Sequence, residues 1–443
     1  MNSAADTRIQ SLIFYYHRLN RYSFNALAGA LDSDPELADV PVRLAKTEED
    51  LAAAAAQALK RHDRAVVALS ILTPQLQEVQ DQLRQLRSDH GSRITFLAGG
   101  PHAAAEAGEL VSLGIDLVFR GESEMSFPAV LKRLARGLNC RDIAGTAYLS
   151  GDEVVVHPPA HPVDIDSFPS FSPKRGMLGP IEITRGCPFA CGFCQTSWIF
   201  GVRPRHRSVD NIVRQAQSLL SRPRPVIRLL SPNAFSYGSE DGRQLNLPAI
   251  RSLLAALRET VSARGRIIFG YYPSEARPEH ITPETLDLLR AFADNDEIVI
   301  GAQSGSARML DACCRAHSVD SVLAAVSRAR KAGYKVIVDF IFGLPGETPQ
   351  DVRETLALIG QVSRLGARIH PHAFVPLPQT AFAAERPGRI SADVIRALDS
   401  LDRQQRIYGD WVEQRRLANR MYRSQNTVSS RRALADFGHQ TSD

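Results

Sequence analysis

The sequence predicts an α/β protein of two successive strand–helix domains, a doubly wound parallel sheet and then a partial (β/α)6 barrel, with a short helical extension. Three observations lead there: continuous apolar runs of strand length, helix-period segments between them, and a proline-rich break near the middle. In the first domain, residues 1–150, strands are expected at 11–16 (SLIFYY), 40–44, 65–72 (AVVALSIL), 94–98 and 115–119. Residues 49–61 and 74–87 have helical spacing, with Leu76, Val79, Leu83 and Leu86 on one face. Residues 151–178 are dense in proline and serine, which oppose both helix and central strand, so they are expected as a linker.

The second domain, residues 179–385, repeats the alternation. Strands are expected at 180–184, 226–230, 267–271, 297–302, 335–342 and 368–374, with helices at 208–220, 247–262, 283–291, 319–332 and 348–365. Six such units make a partial barrel whose active face is the carboxyl edge of the strands. Residues 386–425 are expected to form amphipathic helices, and the polar stretch 426–443 a disordered tail.

Composition excludes several classes. At 443 residues, 44% hydrophobic and 23% charged, the chain is ordinary globular protein, and a net charge of +5 over that length is no nucleic-acid signature. The first residues lack the pattern of a secretory leader, and no apolar run approaches the length of a membrane span. Six cysteines make no disulfide framework, and three stand within eight residues, which fits a cytoplasmic setting and a metal or redox role.

That cluster is the most informative motif. Residues 185–194 read RGCPFACGFC, giving Cys187, Cys191 and Cys194 the spacing C-x-x-x-C-x-x-C just after a predicted strand. Three soft thiolates can converge on one metal centre, and three ligands leave one iron of a four-iron cubane open for chemistry. A closed zinc site wants a fourth ligand, and Cys140, Cys313 and Cys314 are poorly placed to supply it.

Two strand ends of the first domain also carry candidates. Ser70-Ile71-Leu72 ends the third strand, and Gly99-Gly100 the fourth. Paired glycines let backbone approach a ligand closely, although an ordinary turn accounts for the pair as well. Arg120-Gly121-Glu122 follows the fifth strand on the same edge.

The C-x-x-x-C-x-aromatic-C motif, with Phe193 as the aromatic, after the first strand of a six-unit barrel resembles the radical S-adenosylmethionine (SAM) superfamily. That resemblance implies a [4Fe-4S] cluster on the three cysteines, SAM chelated at the open iron, and reductive cleavage of SAM to a 5′-deoxyadenosyl radical. It also implies an electron donor such as flavodoxin or ferredoxin. Ser231 and Asn233 stand where the family usually carries a Gly-Gly-Glu-like element for the SAM amine. The QSGS segment with Gln303 and Ser304 is placed for ribose or carboxylate, and DFIFGLPGE with Gly343 and Glu347 for adenine. Ser306 and Thr348 in these segments could equally be helix N-caps.

A doubly wound domain ahead of such a barrel resembles the cobalamin-binding subclass of the superfamily, the first domain being its Rossmann-like cobalamin-binding domain. The resemblance assigns Ser70, Leu72, Gly99 and Gly100 to the nucleotide-tail pocket of cobalamin. The D-x-H-x-x-G element that carries a lower cobalt ligand in many cobalamin proteins is absent, and His17 does not replace it. Many members methylate unactivated carbon or phosphorus, and transfer to an unactivated carbon of an unidentified substrate is the activity expected here. The rivals are a methylthiotransferase-like enzyme, a non-methylating rearrangement, and a corrinoid- and SAM-binding sensor without turnover. Neither membrane nor nucleic acid is expected as a partner.

Overall fold

The computed structural model describes residues 11–387 and 390–421; the expected tail from 426 lies outside them. The chain divides into two compact units. The first holds the chain up to Pro188 with Gln195–Pro232 and Ser236–Ile268, and the second holds Phe189–Cys194, Asn233–Phe235 and the chain from Phe269 onward.

The first unit opens with β1 (Leu12–Tyr15), β2 (Val42–Ala45), β3 (Ala65–Ser70), β4 (Ile94–Gly99) and β5 (Leu117–Phe119), all parallel in the order β2-β1-β3-β4-β5. Alternation along the strands loads both faces. Leu12, Phe14, Val66 and Ala68 pack into one core with Phe24 and Phe127, and Ile13, Val67, Leu69 and Phe96 into another with Leu51 and Leu83. The first core sits under the helices Arg21–Asp32 and Ser126–Ala135, the second under Glu48–Arg61 and Leu76–His90. The sheet is therefore doubly wound as expected, and its strand order reverses between β1 and β3, where ligands of such sheets bind.

Two antiparallel strands, β6 (Thr146–Ser150) and β7 (Glu153–Val156), extend the sheet beyond β5. Periodicity did not single them out, and β7 falls in the stretch expected as linker. Its sequence EVVV precedes the prolines and occupies the sheet edge, where no neighbour demands a further ladder. The proline-rich run itself carries only a short 3-10 turn, Ile165–Ser167.

Two three-stranded parallel sheets follow, one in each unit. In the first unit β8 (Ile181–Glu182) is succeeded by a two-residue strand β9 (Thr184–Arg185) and its antiparallel partner β10 (Arg205–His206), then by β11 (Val226–Leu230) and β12 (Arg266–Ile268), ordered β12-β11-β8. In the second unit β13 (Glu297–Gln303), β14 (Lys335–Phe342) and β15 (Arg368–Ala373) pair in sequence order. Just past β12 the chain joins β13, since the Val299 amide donates to the Gly270 carbonyl at 3.1 Å and the Ala276 amide to the Val299 carbonyl at 2.8 Å. The extension contains the helix Ala392–Arg403, capped by Ser391, and helical residues 411–421. Between them Arg406 and Tyr408 hydrogen-bond the backbone of Ile369 on β15.

Arg175 ties the segment after the prolines to the sheet domain. Its guanidinium pairs with Asp32 at 2.9 Å and donates to the carbonyls of Leu37 and Ala38, with both charged side chains largely buried. Arg175→Ala leaves the Asp32 charge buried and unpaired, so thermal unfolding should show a loss of about 3–5 kcal/mol; a change under about 1 kcal/mol would mean the pair is no more than a surface bridge.

Candidate functional site

The first unit contains a cavity of about 270 Å3 at the carboxyl edge of its parallel sheet. Ser70, Gly99 and Gly100 line it, with Phe119 and Phe127 as apolar wall. Leu72 is not among its lining residues: after Ser70 the chain turns into the 3-10 segment Thr73–Gln75. Asn20 holds the end of β3 in place, donating to the carbonyls of Tyr15 at 2.9 Å and Ser70 at 3.2 Å.

Two details make this edge a cradle. Gly100 has φ +95°, and a Cβ there would lie 2.7 Å from the Ile71 nitrogen and 2.9 Å from Ser70 Oγ. Only glycine fits, on both conformational and steric grounds. Ser70 Oγ is buried without a hydrogen-bond partner, an uncompensated cost that a ligand with a donor or acceptor would remove. An apolar-walled cleft with one unsatisfied hydroxyl fits the nucleotide end of a corrinoid.

The same cavity is bordered by Arg185, Glu122, Glu124 and Glu182. The Arg185 guanidinium, buried at the end of β9, lies 2.7 Å from Glu124, 2.7 Å from Glu182 and 3.1 Å from Glu122. Arg205 joins at Glu122, which also accepts the Val163 amide at 2.9 Å. Burial alone would raise the Glu124 carboxyl, but the charge and hydrogen bond of Arg185 hold it below its ordinary value. The residues after Arg185 begin the cysteine loop. Gly186 takes φ +92°, with the Arg203 carbonyl 2.6 Å from where a Cβ would stand, and the Cys187 amide donates to the Gly201 carbonyl at 3.1 Å.

The second unit holds the remainder of that loop. Arg277 stacks on Phe189 at 3.5 Å from the ring centroid, and Gly192 lies flat under Phe382, leaving no space for a Cβ. Buried Arg315 donates to the Gly301 carbonyl at 2.7 Å and reaches Cys191 Sγ at 3.6 Å. No disulfide joins any of the six cysteines. Cys313 packs into a small core with Met309, Leu344 and Phe374, and burial pushes its thiol up to about 12, so it behaves as core. Three closely spaced cysteines, one already facing a guanidinium, are a donor set suited to an iron–sulfur cluster.

Of the residues expected at SAM, Ser231 is buried in the first unit and the others lie in the second. Asn233 contacts His280 Nδ1 at 2.9 Å. Gln303 is buried at φ +71°, where the register of β13 shifts. Ser304 is engaged internally, its Oγ 3.2 Å from Thr355 Oγ1 and accepting the Ser306 amide. Thr348 caps its helix, accepting the Asp351 amide, whereas Ser306 makes no side-chain cap and donates instead to Asp351 at 2.6 Å. The Gly343 amide donates to Glu347 Oε2 at 2.9 Å, while Glu347 Oε1 is buried with no partner. That orphan oxygen fits a ligand carrying N–H or O–H donors.

Sequence reasoning marked Glu122 at a strand end and Arg185 at the head of the cysteine motif, but gave no sign that they pair, nor of the roles of Glu124, Glu182, Arg315 and Glu275. The Glu275 carboxylate stands 2.6 Å from where a Cβ on Gly301 would be. Burial raises Glu275, Arg315 opposes the rise, and Asp339 adds to it. Asp339 lies within the quoted fifth-strand segment, but its neighbours His370 and His372 were not singled out, though their spacing of two on a strand was a readable sign.

Burial lifts Glu347 from 4.5 to about 7. A folded-state value above the unfolded one means that protonated Glu347 stabilises below about pH 4.5, a contribution lost as pH rises through 7. Glu347→Gln should flatten this segment of the Tm–pH curve, and parallel curves for variant and wild type would show that the carboxyl is not strained.

Residues 181–359 match the family model of the Radical SAM superfamily, and residues 18–131 match that of the B12 binding domain. An uncharacterized protein of Methanopyrus kandleri is 24% identical over 431 residues, covering 84% of this chain and 77% of its own. Among solved structures, the radical SAM methyltransferase TsrM from Kitasatospora setae, with cobalamin and a [4Fe-4S] cluster bound, superposes with TM-score 0.67. It is 17% identical, over 86% of this chain and 77% of that one. The cobalamin-dependent SAM radical enzyme OxsB has TM-score 0.61 and 16% identity, over 79% of this chain, which spans 52% of the OxsB chain. The expected pairing therefore holds: the chain carries a radical SAM domain and, ahead of it, a B12 binding domain.

Proposed function

We propose that this radical SAM enzyme uses cobalamin and SAM together to methylate an unactivated carbon of its substrate. The observation that carries the reading is the cradle of Gly100 and the unpartnered Ser70 hydroxyl at the carboxyl edge of the B12 binding domain. A radical SAM domain by itself would have no use for it. The likeness to TsrM, a radical SAM methyltransferase also solved with a tryptophan substrate and a SAM analogue, supports the same reaction class.

In this reading Cys187, Cys191 and Cys194 hold the [4Fe-4S] cluster, fed by an electron donor of the flavodoxin or ferredoxin kind. Bound together, these cofactors supply radical formation and a transferable methyl group. The chain's own residues do the rest. Ser70 hydrogen-bonds the nucleotide tail, while Gly99 and Gly100 let it lie against backbone. Leu72 is assigned beside them from the family pattern alone. Arg315, against Cys191 Sγ, holds that side chain in place. Glu347, through Oε1, accepts from SAM, with Gly343 backbone beside it; Ser231, Asn233, Gln303 and Ser304 are assigned to SAM from the family pattern alone, and the Ser304 hydroxyl is already engaged by Thr355. No helix among the described residues is long and apolar enough to cross a membrane.

Anaerobic reconstitution should give about four irons per chain in the wild type, and Cys191→Ala should lose the cluster absorbance. Gly100→Val should abolish uptake of hydroxocobalamin, while Ser70→Ala should weaken it by about 0.5–1.5 kcal/mol, the worth of one hydrogen bond. Incubation with methyl-labelled SAM, reductant and a cell extract should place label on a carbon of the product. Cleavage of SAM with no labelled product, in protein that has bound corrinoid, would sink the methylation reading.

A further inference from the structure

Asp339, His370 and His372 form a cluster in the second unit that the proposed chemistry does not use. Asp339 on β14 and His370 on β15 are register partners, and His372 follows His370 by two residues, so all three side chains leave the same face of the sheet. Their donor atoms converge: His370 Nδ1 lies 2.9 Å from Asp339 Oδ1 and 3.1 Å from His372 Nε2, and all three lie within 4.8 Å of one another. Tyr272 Oη adds an oxygen 2.9 Å from Asp339 Oδ1 and also contacts His370 Nδ1.

Hydrogen bonding alone uses this arrangement poorly. A ring nitrogen has one lone pair or one proton, so His370 Nδ1 can make one well-directed bond, yet it faces a carboxylate, a phenol and a second imidazole. A metal ion removes the conflict, since every one of these groups can present a lone pair to it. The two separations at His370 Nδ1, 2.9 and 3.1 Å, are close to what an ion about 2.1 Å from each donor requires, neighbouring ligand atoms then lying about 3.0–3.4 Å apart. The ring is held from the far side, where Gly409 leaves room for it (a Cβ there would stand 2.6 Å from His370 Nε2), and Tyr408 stacks on Tyr272 at 5.3 Å. His370 and His372 are half-buried, so an ion can reach them, whereas Asp339 is buried.

We propose that Asp339, His370 and His372, with Tyr272 as an auxiliary oxygen, bind a divalent transition-metal ion distinct from the iron–sulfur cluster. Two imidazoles and a carboxylate suit Zn2+ or Fe2+. The assignment does not depend on methyl transfer.

Zinc is the probe. The full-length protein, anaerobically reconstituted with its cluster, is exposed to excess Zn2+, passed through gel filtration and analysed for metal. About one zinc per chain should be retained, in a shell of nitrogen and oxygen at about 2.0–2.2 Å by X-ray absorption. The triple variant Cys187→Ala, Cys191→Ala, Cys194→Ala should retain it too, which separates the site from the thiolates. His370→Gln and His372→Gln should lose the zinc while keeping cluster absorbance and circular dichroism, and Tyr272→Phe should lower affinity about 10- to 100-fold. A wild type that keeps no zinc, a sulfur-containing shell, or folded histidine variants that keep the metal would overturn the assignment. If the histidine variants do not fold, the shell measured in the wild type still decides. Cluster absorbance and label transfer are read separately, so failure here leaves the proposed function standing.

Discussion

The buried guanidinium of Arg185 is the constraint on which the first unit depends. Three carboxylates, Glu122, Glu124 and Glu182, surround it, and they come from two distant parts of the chain. A charge so far from water is tolerable only while every partner is present, because removing one leaves the others uncompensated. The network therefore fixes residues 121–124, on the carboxyl edge of the parallel sheet, against the strand that leads into Gly186 and Cys187. The cavity lined by Ser70 and Gly100 shares that wall, so the first cysteine and that cavity are positioned by one ion network.

Close backbone approach is the second recurring device. Gly100 is pressed against Ile71 and Ser70, Gly192 against the Phe382 ring, and Gly301 against Glu275 and Gln303. Each lets a ligand-bearing or charged segment come nearer than any side chain would allow. In the second unit Arg315 performs the joining role, with the Gly301 carbonyl on one side and Cys191 on the other. Both units thus hold their share of the cysteine loop by a buried arginine, one through carboxylates and the other through a carbonyl and a thiol.

Buried polar atoms without partners carry a cost that a bound ligand can remove. Ser70 Oγ and Glu347 Oε1 are such atoms, and both belong to segments that sequence reasoning had connected with cofactors. Ser304 and Thr348 are the counterexamples, because their hydroxyls are already engaged by Thr355 and Asp351. A polar residue at a strand end becomes a candidate contact only when the protein leaves it unsatisfied.

What the sequence determined by itself is local. The spacing of Cys187, Cys191 and Cys194 is readable because the three stand on one short loop. The strand–helix alternation is readable because burial imposes periods of two and 3.6. Ser70, Gly99 and Gly100 were legible for the same reason: strand ends follow directly from strands. Tertiary structure decided what depends on register and packing between distant residues. Glu124 meets Arg185 across 61 positions, and Arg315 meets Cys191 across 124. Asp339 meets His370 only because β14 and β15 pair in that register. Leu72 leaves the cavity because the chain turns after Ser70, and β7 forms because a sheet edge accepts four residues that periodicity could not distinguish from a loop. Chain periodicity records which way a side chain points; only folding supplies the neighbour it points at.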